Sequence, residues 1–245
     1  MKLLCLDIGN TSITICDYKN EKLGEITRVA SDENFINQLT KYNLGSFDFI
    51  ILCSVVPNLT KLLINYCKNH SINIYEINYK NSHLNLHVDN PSEVGNDRIC
   101  NAIAAKKLNF NPSIIIDFGT ATTYDVINND GDFIGGAIAP GIDVSADYLI
   151  NKTALLKDTI YKFPPKVIGK NTISNIQSGV MYGGLASVEG MIKLIDAEIG
   201  DESNNIIITG GFGKLISEKI NIKHTYIESL TIEGMLQVFF NNQKN

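Results

Sequence analysis

Two segments of the sequence place an acid, a glycine and a hydroxyl residue in the same order at the end of an apolar run. In the first, Asp7 is followed by Gly9 and Thr11; in the second, Asp117 is followed by Gly119 and a threonine. Glycine lets backbone N–H groups come close to anionic oxygens, and a carboxylate can hold a hydrated cation that bridges phosphates. Both segments therefore have the chemistry of a phosphate-binding turn.

The sequence has no phosphate-binding loop of the Walker type. The pattern G-x-x-x-x-G-K-[ST] does not occur, and the glycines of residues 210–213 lack its spacing. A single Asp-x-Gly turn is also typical of an ordinary turn in which the acid bonds to nearby backbone. Two copies, each leading into a hairpin, favour two lobes that hold a nucleotide between them.

The elements around the two turns follow one plan. Each turn joins a buried strand to an alternating strand, within residues 4–15 and residues 114–126. A further apolar strand follows in each half, at residues 49–53 and residues 206–208. The sequence therefore predicts two α/β halves of similar design.

The boundary between the halves is expected where residues 109–112 break a helical pattern. We therefore expect an N-terminal lobe over residues 1–110 and a C-terminal lobe over residues 111–245. Asn96 is expected to cap the helix before this break, and Thr172 or Ser174 precedes a long helix rich in small residues. A last amphipathic helix is predicted over residues 231–240.

Composition excludes several classes of partner. The chain has 21 basic and 26 acidic residues, so it lacks the basic excess that nucleic acid or an anionic membrane surface attracts. Asp7 interrupts the first apolar run too early for a signal peptide, and no later run reaches a membrane-spanning length. We expect a cytoplasmic protein that binds neither nucleic acid nor membrane.

The cysteines and histidines do not form a pattern typical of a metal site. The five cysteines are scattered without Cys-x-x-Cys spacing, which favours buried thiols over metal or redox chemistry. His83 and His87 are the closest histidine pair, and a polar loop is the simpler explanation of their spacing.

Seven segments, in order along the chain, resemble the motif set of the type III pantothenate kinases of the actin-like ATPase and sugar kinase superfamily. They lie at residues 7–11, 54–57, 89–98, 117–122, 135–141, 171–179 and 209–211, and so span nearly the whole chain. The resemblance implies an α/β fold of two similar actin-like (ribonuclease H-like) lobes. Each lobe would hold a mixed five-stranded sheet with helices, and an ATP cleft would lie between them.

The resemblance implies an ATP-dependent enzyme that phosphorylates the hydroxyl of pantothenate. The product would be 4'-phosphopantothenate, in the first step of coenzyme A biosynthesis. It also implies Mg²⁺, a monovalent cation (K⁺ or NH₄⁺) and a homodimer. The helix from Ser174 to Ile195, which is rich in small residues such as Gly183 and Gly184, is the expected dimer surface.

The resemblance assigns functions to individual residues. Asp97 matches the proton acceptor, Asp117 the monovalent-cation site, and Asp7 would hold Mg²⁺ through water. The residues expected to contact ATP are Asp7, Ile8, Gly9, Asn10, Thr11, Ser12, Ile13, Thr14 and Thr120. The residues expected to contact pantothenate are Val88, Gly95, Asn96, Asp97, Arg98 and Thr172.

The chemistry of these residues is compatible with those functions, and each has a structural alternative. Asp97 can orient a primary alcohol and accept its proton, or it can cap a helix or complement the helix dipole. Arg98 can bind a carboxylate through its planar fork, or it can form a surface ion pair. Thr172 can bind substrate or cap a helix. Val88 departs from the family, which usually has a tyrosine there, so this chain lacks that phenol.

Two other functions stay open from the sequence. One is a kinase of the same superfamily that acts on another small acceptor, and Val88 is the residue that favours it. The other is a nucleotide-binding regulatory protein without kinase activity. Residues 95–98 argue against the regulator, because a nucleotide switch has no need of a group that activates an alcohol.

Overall fold

The structure, a computed structural model, describes residues 1–152, 161–200 and 204–243. The chain divides into two compact units. Unit 1 is made of Met1–Phe110, Asn129–Gly135 and Ser229–Asn245, and unit 2 is made of Asn111–Asn128 and Gly136–Glu228. Each unit contains its own mixed β-sheet with helices, which confirms the predicted α/β class and its two similar halves.

The helices and strands alternate along the chain. The first half contains β1 (Lys2–Ile8), β2 (Ser12–Lys19), β3 (Lys22–Leu23), β4 (Thr27–Ala30), α1 (Phe35–Leu39), β5 (Phe49–Ser54), α2 (Pro57–Asn69), β6 (Ile74–Glu76) and α3 (Asn96–Lys107). The second half contains β7 (Ser113–Phe118), β8 (Ala121–Ile127), β9 (Phe133–Pro140), α4 (Ile142–Lys152), α5 (Thr172–Ile199), β10 (Asn205–Gly210), α6 (Gly213–Ser217), β11 (Thr225–Tyr226) and α7 (Leu230–Gln243). Short 3-10 helices lie at Thr40–Tyr42, Leu44–Ser46 and Pro91–Glu93.

The sheet of unit 1 has the strand order β3-β2-β1-β5-β6, with β4 also paired to β2. β1 is antiparallel to β2 and parallel to β5, and β5 is parallel to β6. The sheet thus has six strands where five were expected. The extra strand arises because β3 and β4 pair with opposite ends of β2, so two short strands share one edge position.

The sheet of unit 2 repeats this arrangement, in the order β11-β10-β7-β8-β9. β7 is antiparallel to β8 and parallel to β10, and β10 is parallel to β11. β7 therefore corresponds to β1, and β10 corresponds to β5. In both sheets the carboxyl ends of the two central parallel strands lie side by side, which is where α/β proteins commonly bind ligands.

Helices cover both faces of the unit 1 sheet. Leu4, Leu6 and Ile8 alternate with their neighbours along β1 and pack with buried residues of α1 and α2 on one face. Leu3 and Cys5 point to the other face, where α3 and α7 contact β1 and β5. Because both faces are covered, the central strands are apolar at almost every position except at their carboxyl ends.

The last helix, α7, belongs to unit 1 although it lies at the end of the chain. It packs along α3, and a Cβ atom on Gly234 would collide with the backbone carbonyl of Cys100. Phe239 of α7 also contacts the rings of Phe49 and Tyr75, with centroids 5.2 and 5.3 Å apart. The compact units therefore group residues 129–135 and 229–245 with unit 1, whereas the predicted lobes divide the chain once, at residue 110.

All five cysteines are buried, and none forms a disulfide. Among the helices that the structure describes, none combines the length and apolar character needed to cross a membrane.

Candidate active site

The first phosphate-binding turn predicted from the sequence lies between β1 and β2, at residues 9–11. The Gly9 N–H donates to the Ser12 carbonyl (3.0 Å), and a Cβ on Gly9 would lie 3.2 Å from that oxygen. Ser31 fixes the turn from the side: its hydroxyl donates to the Gly9 carbonyl (2.6 Å) and its N–H donates to the Thr11 carbonyl (3.0 Å). The turn is therefore held by its carbonyls, while Asn10 and Thr11 are exposed at its tip.

The start of α3 is anchored to the carboxyl end of β5. The Asn96 side chain donates to the Ser54 carbonyl (3.1 Å), and the Val55 N–H donates to the Ile8 carbonyl at the end of β1 (3.1 Å). Gly95, rather than Asn96, is the capping residue, so the predicted cap was wrong by one position. The reason is that the Asn96 amide is used to join the helix to the strand. This contact places Asp97 and Arg98 at the strand ends.

Asp97 lies in the first turn of α3 and is half-buried. Burial raises the pKa of its carboxyl group, and this rise is opposed by a hydrogen bond from the Arg98 N–H (2.8 Å) and by the charge of the Arg98 side chain. One carboxylate oxygen thus accepts an N–H within the first turn of α3, although no side chain caps this helix. A carboxylate has further acceptor positions, and a raised pKa makes it a better proton acceptor.

Asp7 and Asp97 lie on the same side of the unit 1 sheet. Asp7 is the register partner of Thr14 on β2 and of Cys53 on β5, so these three side chains share one face. The pKa of the Cys53 thiol is raised by its hydrogen bond with Cys100 and by burial, with smaller contributions from the negative charges of Asp7 and Asp97. The charges of both carboxylates therefore reach Cys53, which places the two predicted acids in the same region of unit 1.

Arg98 follows Asp97 on α3, and its guanidinium lies over the ring of Phe133, 5.3 Å from the ring centroid. Phe133 also pairs through its backbone with residues 85–87, the segment that leads into Val88. Val88 is half-buried. The predicted acceptor residues of unit 1 thus come from two neighbouring pieces of chain, the start of α3 and the segment before the Pro91–Glu93 helix.

The second predicted turn, in unit 2, resembles the first but is one residue shorter, at residues 119–120 between β7 and β8. The Gly119 N–H donates to the Ala121 carbonyl (3.1 Å), and the Thr120 carbonyl accepts the Gly141 N–H (3.1 Å). Thr120 is exposed. Asp117 precedes this turn at the carboxyl end of β7. Gly210, at the end of β10, has a φ of +87° and leaves space for the Asp117 carboxylate that a side chain would fill.

Thr172 is the first residue of α5 and does not cap it. Asn171 is the cap, because its side chain accepts the Ser174 N–H (2.9 Å) while Ser174 accepts the Asn171 N–H (3.2 Å). The capping alternative for Thr172 is therefore wrong. Its exposed side chain instead lines a cavity of about 790 Å³ within unit 2, which α4, α5, β8 and β9 enclose with mainly apolar residues.

The part of the chain that the structure describes contains no group of three or more His, Cys, Asp or Glu side chains arranged to hold a metal ion. Mg²⁺ does not require such a cage when it binds with a nucleotide, because one or two carboxylates, water and phosphates complete its shell. Asp7 and Asp97 supply oxygen donors of that kind. Asp117 supplies another, beside the backbone of Gly210. The donor chemistry therefore fits hard cations.

Sequence reasoning missed three residues of this region. Ser31 holds the first turn, Ser54 holds the start of α3, and Phe133 lies beneath Arg98. Ser54 lies within one of the seven motifs that resemble the family, so its position near the site could have been predicted. Ser31 follows β4 and Phe133 begins β9; both contacts depend on tertiary packing, and the local sequence contains no signal for either of them.

A sequence model of the type III pantothenate kinase family matches residues 3–194 of this chain. A type III pantothenate kinase from Moorella thermoacetica is 37% identical over 254 residues, which cover 98% of this chain and 99% of that protein. A second one, from a Roseiflexus species, is 39% identical over 255 residues, with 98% of this chain and 99% of that protein covered. The match to the family model extends over every predicted site residue.

Solved structures are similar in fold. A protein from Campylobacter jejuni described as a Baf family transcriptional activator has a TM-score of 0.64 and 20% identity, over 99% of this chain and 100% of that one. Acetate kinase from Entamoeba histolytica has a TM-score of 0.52 and 9% identity, over the full length of both chains. At such identities the likeness shows the fold alone, and it confirms the expected actin-like α/β architecture.

Proposed function

This chain belongs to the type III pantothenate kinase family and is an ATP-dependent pantothenate kinase, and we propose that Asp97 is the residue that accepts the proton of the pantothenate hydroxyl. In the reaction, the hydroxyl oxygen forms a bond to the γ-phosphorus of ATP, the bond from that phosphorus to the β-phosphate oxygen breaks, and ADP leaves. The hydroxyl proton passes to a base. The product is 4'-phosphopantothenate, the first intermediate towards coenzyme A.

The observation that carries the proposal for Asp97 is its position beside Asp7 at the carboxyl ends of β1 and β5. Asp7 begins the turn that would bind phosphate, so a carboxylate close to it on the same face is suitably placed for an acceptor hydroxyl. A weakly nucleophilic alcohol gains from a base that orients it and takes its proton. Burial raises the pKa of Asp97, which strengthens it as that base.

Binding of ATP in this proposal involves residues 7–14 in unit 1 and Thr120 in unit 2. The support is similar in each: a glycine turn at a strand end, closed by a hydrogen bond from the glycine N–H and exposed at its tip. Backbone N–H groups in such turns are suited to phosphate oxygens. A Cβ atom at Gly210 would collide with the Asp117 carboxylate, so the glycine there keeps this carboxylate accessible.

Binding of pantothenate would use residues 95–98, Val88 and Thr172. Arg98 is the group suited to the pantothenate carboxylate, because its planar guanidinium can donate two parallel hydrogen bonds. Thr172 has an exposed hydroxyl that helix capping does not require, since Asn171 and Ser174 perform that function. Val88 supplies only apolar contact where the family usually has a phenol.

Two cations complete the proposed site. Mg²⁺ would be held by Asp7 through water, and K⁺ or NH₄⁺ by Asp117; bound cations of this kind neutralise charge on the phosphates. The oxygen donors described above are of the type that both ions accept. Since ATP is available in the cytoplasm, the same proposal places the enzyme there.

Arg98→Met should move the acidic limb of the pH profile of kcat/KM to higher pH. The charge of Arg98 lowers the pKa of Asp97, so its removal raises that pKa further. Activity requires ionised Asp97 and falls as the pH drops through this pKa, hence the fall begins at a higher pH. KM for pantothenate should also rise by roughly 10- to 100-fold, since a hydrogen-bonded charge pair is lost. Steady-state kinetics over a range of pH measure both the position of the acidic limb and KM. If the acidic limb did not move, a group other than Asp97 would be responsible for it.

The proposed homodimer is supported by a stripe of small residues along α5, part of which also borders the cavity beside Thr172. Gly179, Gly183 and Gly190 lie on one side of this helix, and nothing within 4 Å would meet a Cβ on any of them. Leu194 continues the stripe with an exposed side chain. A helix with such a surface can approach another helix closely, so a second copy of the chain is the proposed partner.

Gly183→Leu should weaken this dimer by roughly 10- to 100-fold without unfolding the protomer, because the new side chain occupies space where the partner helix would lie. Sedimentation velocity at several concentrations measures the shift towards monomer. Gly45→Leu is the matched control, since a Cβ there also meets nothing within 4 Å and Gly45 lies in unit 1. A Gly183→Leu dimer as tight as that of the control would exclude α5 from the interface.

The activity itself is tested by adding pantothenate to the enzyme with ATP, Mg²⁺ and K⁺. ADP release should increase strongly when pantothenate is present. A nucleotide-binding regulator would release ADP at the same rate with or without it, and a kinase for another acceptor would respond only to that other alcohol.

A further inference from the structure

The ring of Phe133 lies against the guanidinium of Arg98 and can restrict its orientation. Its ring is almost fully buried, with 1% of its surface exposed, and the Arg98 guanidinium carbon lies 5.3 Å from the ring centroid. A cation within about 6 Å of an aromatic face is attracted to the ring quadrupole. An attraction of this kind does not itself require a hydrogen bond from the guanidinium N–H groups.

The backbone of Phe133 is fixed by the segment that precedes Val88. The Phe133 N–H donates to the Asn85 carbonyl (3.0 Å), and the His87 N–H donates to the Phe133 carbonyl (2.9 Å). Leu86 and Phe133 are therefore paired as in a short parallel ladder. These two bonds fix the backbone of Phe133, and burial of the side chain restricts rotation of the ring.

Asp132 strengthens this attachment. Its carboxylate accepts from the Asn85 amide (3.0 Å), contacts the His87 ring nitrogen (3.2 Å) and lies 3.5 Å from the Lys106 ammonium. Asn85 and His87 belong to the paired segment, and Lys106 lies on α3, the helix that carries Arg98. Three contacts thus hold Asp132, the residue before Phe133, to the segment of residues 85–87 and to α3.

We propose that Phe133 is a positioning residue for the acceptor carboxylate: its buried ring holds the Arg98 guanidinium in the orientation that binds that group. The inference rests on the proposed function, because it takes the pantothenate carboxylate as the ligand of Arg98. An arginine side chain has many rotamers, and restricting them before binding lowers the entropic cost of forming a two-point contact. Phe133 touches neither substrate nor ATP in this account; it acts through Arg98.

The test compares two acceptors that share a hydroxyl but differ in the group that Arg98 would bind. Phe133→Leu keeps an apolar side chain and removes the aromatic face. For pantothenate its KM should rise about fivefold, equivalent to about 1 kcal/mol at 1.4 kcal/mol per tenfold change. For pantothenol, in which an alcohol replaces the carboxylate, KM should change less than about twofold. In both cases kcat should stay close to the wild-type value, and Phe133→Tyr should restore the wild-type KM for pantothenate.

Phe47→Leu is the matched control, because Lys19 lies over the Phe47 ring at 5.4 Å at the opposite end of β5. It makes the same substitution at the same kind of contact, and it should leave KM for both acceptors unchanged. Circular dichroism and thermal unfolding of Phe133→Leu show whether unit 1 remains folded. If it does not, Phe133→Tyr and Phe133→Met provide the comparison instead.

A second measurement is a double-mutant cycle. In an Arg98→Met background, Phe133→Leu should add no further increase in KM for pantothenate, since the group it positions is gone. Equal increases in KM for pantothenate and pantothenol, or additive effects of the two substitutions on KM, would overturn the inference. Pantothenate kinase activity would remain established in either case. Failure of the wild-type enzyme to phosphorylate pantothenate would instead overturn the proposed function, so the two failures are distinguishable.

Discussion

Asp97→Asn is expected to lower kcat by about 10²- to 10⁴-fold, the usual contribution of a general base, while ATP binding is retained. The amide is nearly the same size as the carboxylate and can still accept the Arg98 N–H, so the start of α3 should keep its geometry. It cannot take a proton from the acceptor hydroxyl. Steady-state phosphorylation of pantothenate gives kcat, and calorimetric titration with a non-hydrolysable ATP analogue gives the affinity for nucleotide.

The stability of the Asp97→Asn variant separates loss of chemistry from loss of fold. Burial raises the pKa of Asp97, so the protonated form is favoured in the folded state and its stabilising contribution is lost as the pH rises through that pKa. At neutral pH the ionised carboxylate therefore costs stability, and the neutral amide should give an equal or higher Tm. Asp48→Asn, an exposed acid at the amino end of β5, is the control with unchanged kcat. A kcat for Asp97→Asn within a factor of about three of the wild type would exclude Asp97 as the base.

Gly234→Leu is expected to destabilise unit 1 by about 3 kcal/mol, near the upper end of the range for overpacked sites. A Cβ at this position would collide with the backbone carbonyl of Cys100, and α3 cannot avoid the collision by rotating a side chain. The two helices must separate, which exposes residues such as Phe239. Chemical denaturation followed by circular dichroism measures the change in free energy of unfolding.

The effect should extend to catalysis because α3 carries Asp97 and Arg98. A displaced α3 would loosen the Asn96 bond to Ser54, so kcat/KM should fall together with stability. Gly45→Leu serves again as the control, since the same change there meets open space. If Gly234→Leu unfolded at the same denaturant concentration as the control, the close approach of α3 and α7 would not be important for stability.

The two Asp-x-Gly turns and the central strands could be predicted from the sequence because their signals are local. Buried strands read as apolar runs, and the acid with its glycine marks the point where each strand ends. The repeat of this pattern indicated two similar sheets, and the pairing of β1 with β2 and of β7 with β8 confirms it. The family resemblance added what periodicity cannot provide, namely the reaction.

The remaining features depend on contacts between distant parts of the chain. β4 is a short edge strand, and only its pairing with β2 defines it. Asparagine is a common helix-capping residue, but the Asn96 side chain donates to the Ser54 carbonyl and does not cap α3. The membership of α7 in unit 1 depends on Gly234 facing Cys100, which are far apart in sequence. Local sequence patterns indicate which secondary structure a segment favours, whereas tertiary packing determines which other segments it contacts.

The most direct test of the account is the identity of the product formed from ATP and pantothenate by the wild-type enzyme. Mass spectrometry and ³¹P NMR of the reaction mixture should show one phosphoryl group on the primary hydroxyl of pantothenate, formed in equal amount with ADP. Release of ADP and inorganic phosphate with unchanged pantothenate, from an enzyme that binds both ligands, would contradict the assignment of this chain as a pantothenate kinase.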